Sequence, residues 1–357
     1  LTASVKNTPN LNRSKRNPTG RSRLAPPPGF VSGLLALLPC LTADCPAVGG
    51  QAVMEGVMMR NGDTYGLAVR RPDGVIRAQR LPWFSLTRRA WLKKPFVRGF
   101  PILLETLVNG IQALNRSVEA AAQSEEEELS GWHLALSLGL ALVMAIALFV
   151  VAPHLLSLVM LWLHLGGDVE GLSFHLWDGF FKCCIFMGYI RLISYVPDIR
   201  RVFQYHGAEH KTIHAFEAGG EVSAASAAGM SRLHPRCGTT FLLFVICISI
   251  ILHAVLVPLL LMIHTPQNMV AKHALTISFK LLLMAPISAL AYELIRYAAR
   301  LPDGFWATLL RAPGLALQRL TTYEPDAAQL DVAVVALREA LGPDAGAGIR
   351  TAPYLEG

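Results

Sequence analysis

"TFLLFVICISIILHAVLVPLLLMI", residues 240–263, decides the fold class, because it contains no Asp, Glu, Lys or Arg. A helix needs about 20 apolar residues to cross a hydrocarbon core of ~30 Å, and this run supplies them. Three further stretches repeat the pattern. "HALTISFKLLLMAPISALAYELIRYA" (273–298) is long enough by itself. "HLALSLGLALVMAIALFVVAPHLLSLVMLWLHL" (133–165) is longer than one crossing needs, so it tilts, bends near Pro153 or protrudes. "LSFHLWDGFFKCCIFMGYIRLISYV" (172–196) is interrupted by Asp178, Lys182 and Arg191, and the expected role of Lys182 is to snorkel or to pair with Asp178. The expected fold is therefore an α-helical integral membrane protein with about four transmembrane helices, a small N-terminal β-unit and cytoplasmic amphipathic helices.

Composition agrees. The chain of 357 residues is 53% hydrophobic and 16% charged, where soluble domains carry about 25% charged residues. The net charge of +7 collects beside the apolar runs, as membrane topology requires. A nucleic-acid surface would interleave aromatics with basic residues, and no stretch does so. "GGDVEGL" (166–172) has no Lys or Arg, whereas residues 197–237 hold Arg200, Arg201, Lys211, Arg232 and Arg236. The positive-inside rule then places both termini and residues 197–239 in the cytoplasm of a multi-pass cell-membrane protein. The six cysteines form no CxxC pair. Cys183, Cys184 and Cys247 read as small hydrophobes, and only Cys237 has polar neighbours. Residues 1–48 are expected to be a basic tail, disordered or a non-native extension, that includes a stretch like a signal or transit peptide.

Between tail and first span lie two soluble-looking segments. "YGLAVRR", "PDG" and "VIRAQRL" read as strand, turn and strand, which defines a small β-unit with a hairpin over 49–98. Ile102, Leu103, Leu107, Ile111 and Leu114 then recur with helical period, giving an amphipathic interfacial helix over 99–128. Arg88, Arg89, Lys93, Lys94 and Arg98 beside it suit anionic lipid headgroups. "EEEE" (125–128) reads as a solvated helix end. Residues 299–357 form a cytoplasmic tail with a short amphipathic helix around Leu330, Val332, Val335 and Leu337.

Chemistry concentrates in "RVFQYHGAEHKTIHAFEAGGE" (201–221). A helix over 203–218, stopped by Gly219 and Gly220, puts His206, His210, His214 and Glu217 within ~80° of one another. Imidazoles spaced i, i+4 can reach one ion, and His206-x-x-Glu209-His210 is the H-x-x-E-H pattern in which the glutamate is a general base. His206 and His214 lie ~12 Å apart along a straight helix, so one ion cannot take all three. His210 can serve either neighbour, or His214 and Glu217 can form a second site. Further ligands must come from elsewhere. The candidates are Glu293 near the end of the fourth span, and His234, Arg236 and Cys237 just before the third. Tyr189, Arg191, Tyr195 and Asp198 end the second span at the same level, and Glu55 in "VMEGVMMR" is a further candidate. The plainer reading of the histidines is a polar or pH-sensitive cluster without metal, and that of Glu293 is a partner for a nearby Arg or His. His133, His154, His164 and His175 carry only the plain reading.

"GGQAVMEGVMMR", "YHGAEHKTIHAFEAG", "SRLHPRCGTTFLL" and "LQRLTTYEPDAAQLDVAVVAL", in that order, resemble the YqhQ family of bacterial membrane proteins over residues 49–341. The resemblance implies a metal-dependent enzyme with His206, Glu209, His210, His214, His234, Arg236, Cys237 and Glu293 at motif positions; it supplies no substrate. The leading expectation is a hydrolase holding a divalent metal, zinc by ligand type, at His206 and His210, with His214 or Glu293 completing the shell and Glu209 as base. A membrane scaffold or assembly factor with an unknown protein partner is the alternative. A carrier of metal ions or protons is disfavoured, because few intramembrane charges are apparent. Beyond the lipid bilayer the sequence specifies no partner and no nucleic acid.

Overall fold

A computed structural model describes residues 48–121, 131–302, 304–346 and 348–356. The tail up to residue 47 and the acidic run at 125–128 lie outside the described residues. Four strands follow in sequence as an antiparallel meander: β1 (Gly49–Val53), β2 (Gly56–Asn61), β3 (Thr64–Arg70) and β4 (Ile76–Pro82). The helices are α1 (Gly99–Ala121), α2 (Gly131–Ile146), α3 (Ala152–Trp162), α4 (Leu172–Ile193), α5 (Pro197–Glu217) and α6 (Ala224–Ala228). They continue with α7 (Gly238–Ile263), α8 (Met269–Leu282), α9 (Met284–Arg300), α10 (Phe305–Thr321) and α11 (Ala327–Ala345). A last strand, β5 (Tyr354–Glu356), runs parallel to β4 with Tyr354 opposite Ile76.

The hairpin read from "YGLAVRR" and "VIRAQRL" is β3–β4, with Ala68 opposite Ala78. Its turn is closed by the Gly74 N–H on the Arg71 carbonyl, and Gly74 takes φ +85°, a conformation that costs glycine little. β1 and β2 extend this hairpin into a sheet that is covered on both faces. Val57, Met59 and Ala68 point to a core shared with α5 and α11, while Met58, Tyr65 and Leu67 point to Trp83 and α1. That two-sided burial explains why "VMM" and "LAV" are apolar without alternation.

The carboxyl-terminal helix departs most from the sequence reading. Expected as a short amphipathic helix in a tail, α11 is buried nearly all round, from Leu330 through Val332–Leu337 to Ala340 and Leu341. It lies against β2 and β3 on one side and α5 on the other. Gly66 of β3 meets the backbone of Ala336 and Ala340 so closely that a Cβ there has no room. α1 also differs. Its buried face is small and polar (Gly99, Glu105, Asn109, Ala113, Ser117), and the apolar Leu107, Leu114 and Val118 point outward. Glu105 accepts from the Ser85 hydroxyl at 2.9 Å and Asn109 bonds both backbone groups of Phe84, so the polar face stitches down the preceding segment.

Three helical stretches are long and apolar enough to cross a membrane: Ala135–Trp162, Gly238–Ile263 and Met269–Ala298. The first combines α2 and α3 through a π-helical turn at Ala147–Val151, directly before Pro153, whose missing N–H interrupts the ladder. A fourth arises if α4 and α5 are taken together, but they meet at 99°. α4 runs with the apolar helices, packing on α3 and α7, while α5 turns away to pack on β1 and α11. The polar helix therefore belongs to the sheet unit, and its start is held to the bundle by a sharp bend at Ser194–Val196.

Candidate metal centre

α5 begins six residues earlier than the histidine pattern suggested, with Pro197 in its first turn, and ends before Gly219 and Gly220 at φ +72° and +105°. Its histidine face meets two other segments, the 231–237 loop and the end of α10. Each imidazole is fixed by a main-chain carbonyl. His206 donates from Nδ1 to the Thr321 carbonyl at 2.9 Å, and His210 from Nδ1 to that of Arg232 at 2.7 Å. His214 donates from Nε2 to the Leu233 carbonyl at 2.9 Å. Donation from Nδ1 leaves the Nε2 lone pairs of His206 and His210 free, the arrangement found where imidazoles bind metals.

Those lone pairs face Cys237. Sγ lies 3.2 Å from His206 Nε2, and the buried His210 Nε2 has no hydrogen-bond partner. The three ligand atoms are within 4.8 Å of one another, close enough to share an ion. Cys237 is also the N-cap of α7, accepting from the Thr239 N–H at 3.4 Å. Burial pushes its thiol up, but His210 and the Thr239 donors outweigh that and hold it below the ordinary cysteine value. A thiol at a helix N-terminus beside imidazoles is the kind that ligates as thiolate.

A second group lies one turn further along. His214, Glu217 and His234 also bring ligand atoms within 4.8 Å. Glu217, however, is committed to an ion pair with Arg236, and its other oxygen is 3.4 Å from His234 Nε2. Burial holds the His234 imidazole neutral down to about 4 and lowers His210 and His214 as well. Gln318 clamps this loop, accepting the His234 N–H and donating to its carbonyl, both at 2.8 Å.

Glu209 is packed against β1. A Cβ on Gly50 would come within 2.8 Å of its carboxyl carbon, so glycine is required where the strand passes. Its Oε2 is buried without a partner, and burial raises the carboxyl to about 8, with His206 and the Gly50 N–H opposing the shift. Glu209, His210, His234, Arg236 and Cys237 line a cavity of about 220 Å³ together with Gly49, Gly50 and Arg60.

Two expected residues lie elsewhere. Glu293, expected as a ligand that completes the shell, is held by Arg98, whose Nε and Nη2 reach its two oxygens at 2.7 and 2.6 Å. Glu55 accepts from Arg201 Nε and Nη2 at 2.5 Å and from Tyr205 at 3.3 Å; it ties the β1–β2 turn to α5. Of the residues closing α4, Tyr189 packs on Phe149, and Arg191 lies 4.6 Å over the Tyr195 ring. The carbonyls of Thr321 and Arg232 had no signal as individual residues, since any residue type supplies a carbonyl. Gly50 and Gln318 do stand inside or beside distinctive runs, "GGQAVMEG" and "LQRLTTYEP".

The family profile DUF1385, described as a protein of unknown function, matches residues 94–343. This chain belongs to the DUF1385 family. Its similarity to the uncharacterized protein YqhQ of Bacillus subtilis (strain 168) is 33% identity over 312 residues, covering 83% of this chain and 92% of that protein. No solved structure matches the chain significantly. The DUF1385 match spans every histidine and cysteine of both groups, whereas the strands that supply Gly50 and Arg60 precede it.

Proposed function

We propose that this is a multi-pass cell-membrane protein with cytoplasmic termini and that it is a metal-dependent hydrolase working at the cytoplasmic surface. The apolar helices and the unequal basic content of their connections support the placement. So do the outward-facing Leu107, Leu114 and Val118 of α1, beside the exposed Trp91 and Phe96 and the basic Lys93 and Lys94. The observation that carries the hydrolase reading is Glu209, which has a buried oxygen without a partner and lines one cavity with His210 and Cys237.

His206, His210 and Cys237 would hold a divalent ion, and two imidazoles with a thiolate suit zinc. Three protein ligands leave a position for water, whose pKa a zinc ion can lower to about 7. With the charge of the ion beside it favouring the carboxylate, Glu209 Oε2 would take the proton from the attacking water, and the Gly50 N–H would keep the carboxyl oriented. Arg60 on the cavity wall, with Arg236 beside it in its pair with Glu217, favours an anionic substrate, so a lipid-linked phosphate or acidic ester ranks ahead of a peptide. Elemental analysis of the detergent-solubilised protein should find about one zinc per chain, lost in His206→Ala/His210→Ala. Glu209→Gln should keep the metal and lose hydrolysis of the substrate found by screening; unchanged turnover in that variant refutes the mechanism.

A second reading rests on where the ligands sit. His206 and His210 belong to the sheet unit and Cys237 to the start of α7, so an ion there would clip the two together in a scaffold. Under that reading metal removal loosens the α5–α7 contact, and Glu209→Gln has no consequence.

A further inference from the structure

The four apolar helices α3, α4, α7 and α8 enclose a second set of titratable groups, remote from the metal centre. They form a line rather than a cluster. His273 Nδ1 lies 3.1 Å from His154 Nε2, and His154 Nδ1 lies 3.5 Å from Lys280 Nζ. Lys280 Nζ donates to Asp178 Oδ1 at 2.7 Å, and Lys182 Nζ reaches Asp178 Oδ2 at 3.5 Å. Lys182 Nζ is also 3.5 Å from His253 Nδ1. His175, one turn before Asp178, faces the same groups. Asp178 and Lys280 are each 2% exposed and His253 4%.

The line has an open end and a closed one. His273, partly exposed, is the fifth residue of α8; its neighbour Lys272 bonds Glu170 at 2.8 Å and approaches Asp168 at 3.7 Å in the α3–α4 connection. Lys182, Lys280 and His253 each stand ten or eleven residues from the helix ends on that side, about 15 Å at 1.5 Å per residue, half of a ~30 Å core. Beyond them Phe186, Ile190, Ile246 and Leu317 form an apolar layer, which separates the line from Cys237 at the other end of α7.

Two features do not fit a merely structural ion pair. One carboxylate faces two lysines, so the trio has two charge states that differ by one proton. The buried His253 Nε2, where the line ends, has no hydrogen-bond partner among the described residues. Ionisable groups at such depth are costly to keep and by default point to function, ion or proton pathways among the uses.

We infer that this line is a proton half-channel, admitting protons from the face of the 163–171 connection to the middle of the bundle and no further. A proton binding His273 at Nε2 releases the Nδ1 proton to His154, which passes its own onward to the lysine–aspartate trio. The trio gains one proton on a lysine nitrogen, and His273 and His154 are each left with the proton on Nε2 instead of Nδ1, to be reset by ring rotation before the next transfer. The apolar layer keeps that proton from the cytoplasmic side at rest. The inference rests on the membrane placement proposed above and is independent of the metal centre.

Full-length protein in liposomes adsorbed on a sensor electrode tests it by a rapid pH jump. The expected record is a brief charge displacement with no sustained current, reduced by about an order of magnitude in Asp178→Asn and in His273→Gln. If Asp178→Asn fails gel filtration, His273→Gln, at the partly exposed mouth, carries the comparison. No displacement in the wild type overturns the inference, as does a displacement of equal size in the folded variants. A sustained current also overturns it, because the path would then cross the whole bundle.

Discussion

Burial of Glu209 sets the pH behaviour expected of the metal-free protein. Its carboxyl moves from 4.5 to about 8 on folding, so across that window the folded chain keeps a proton that the unfolded chain releases. Stability therefore falls as pH rises. His234 works in the opposite sense: its imidazole drops from 6.5 to about 4, so stability is lost as pH falls through that range. Above 6.5 the His234 contribution is flat and the Glu209 slope remains, about 1.4 kcal/mol per pH unit. Denaturant titrations of chelator-treated protein should show a loss of about 2 kcal/mol between pH 6.5 and 8 that Glu209→Gln removes. An equal slope in that variant means another group is responsible. Glu209 and the histidine spacing were legible in the sequence because helical periodicity alone aligns them. The role of Cys237 was open, since nothing in "HPRCGTT" says that α7 starts within reach of His206.

α5 is positioned as an element by contacts along and at the edge of its histidine face. A Cβ on Gly207 would collide with the Tyr323 carbonyl, and the Phe203 carbonyl accepts the Tyr323 N–H at 2.9 Å. Because the obstacle is backbone, it cannot rotate away. Gly207→Ala should push α5 from the 321–325 segment, move His206 off the Thr321 carbonyl and weaken zinc binding by tenfold or more, read by competition with a chelator. Unaltered affinity would mean that the site tolerates the shift. α11 is held by a capping box, with Asp326 accepting the Gln329 N–H at 2.8 Å and the Gln329 side chain returning to the Asp326 N–H. Asp326→Ala should cost about 1 kcal/mol in denaturant unfolding.

At the scale of the molecule the sheet unit is assembled from three distant parts of the chain: β1–β4, α5 and α6, and α11 with β5. Removing residues 327–356 should therefore expose Val57, Met59 and Ala68 and unfold the sheet although those strands remain, seen as rapid proteolysis within residues 49–82. Survival of that segment would make the sheet an independent unit. The apolar helices, by contrast, keep their hydrophobic length within single segments and should resist digestion.

By itself the sequence determined the apolar helices, the β3–β4 hairpin and the histidine face. Each is a local pattern: a run of about 20 apolar residues, a turn dipeptide between strands, or a spacing of four on a helix. Tertiary structure alone decided the rest. It put Cys237 and not Glu293 beside His206 and His210, made α11 a core helix, and gathered Asp178, Lys182, Lys280 and three histidines from four helices into one line. Such groupings join residues up to more than a hundred positions apart, and no local period records which helix faces meet.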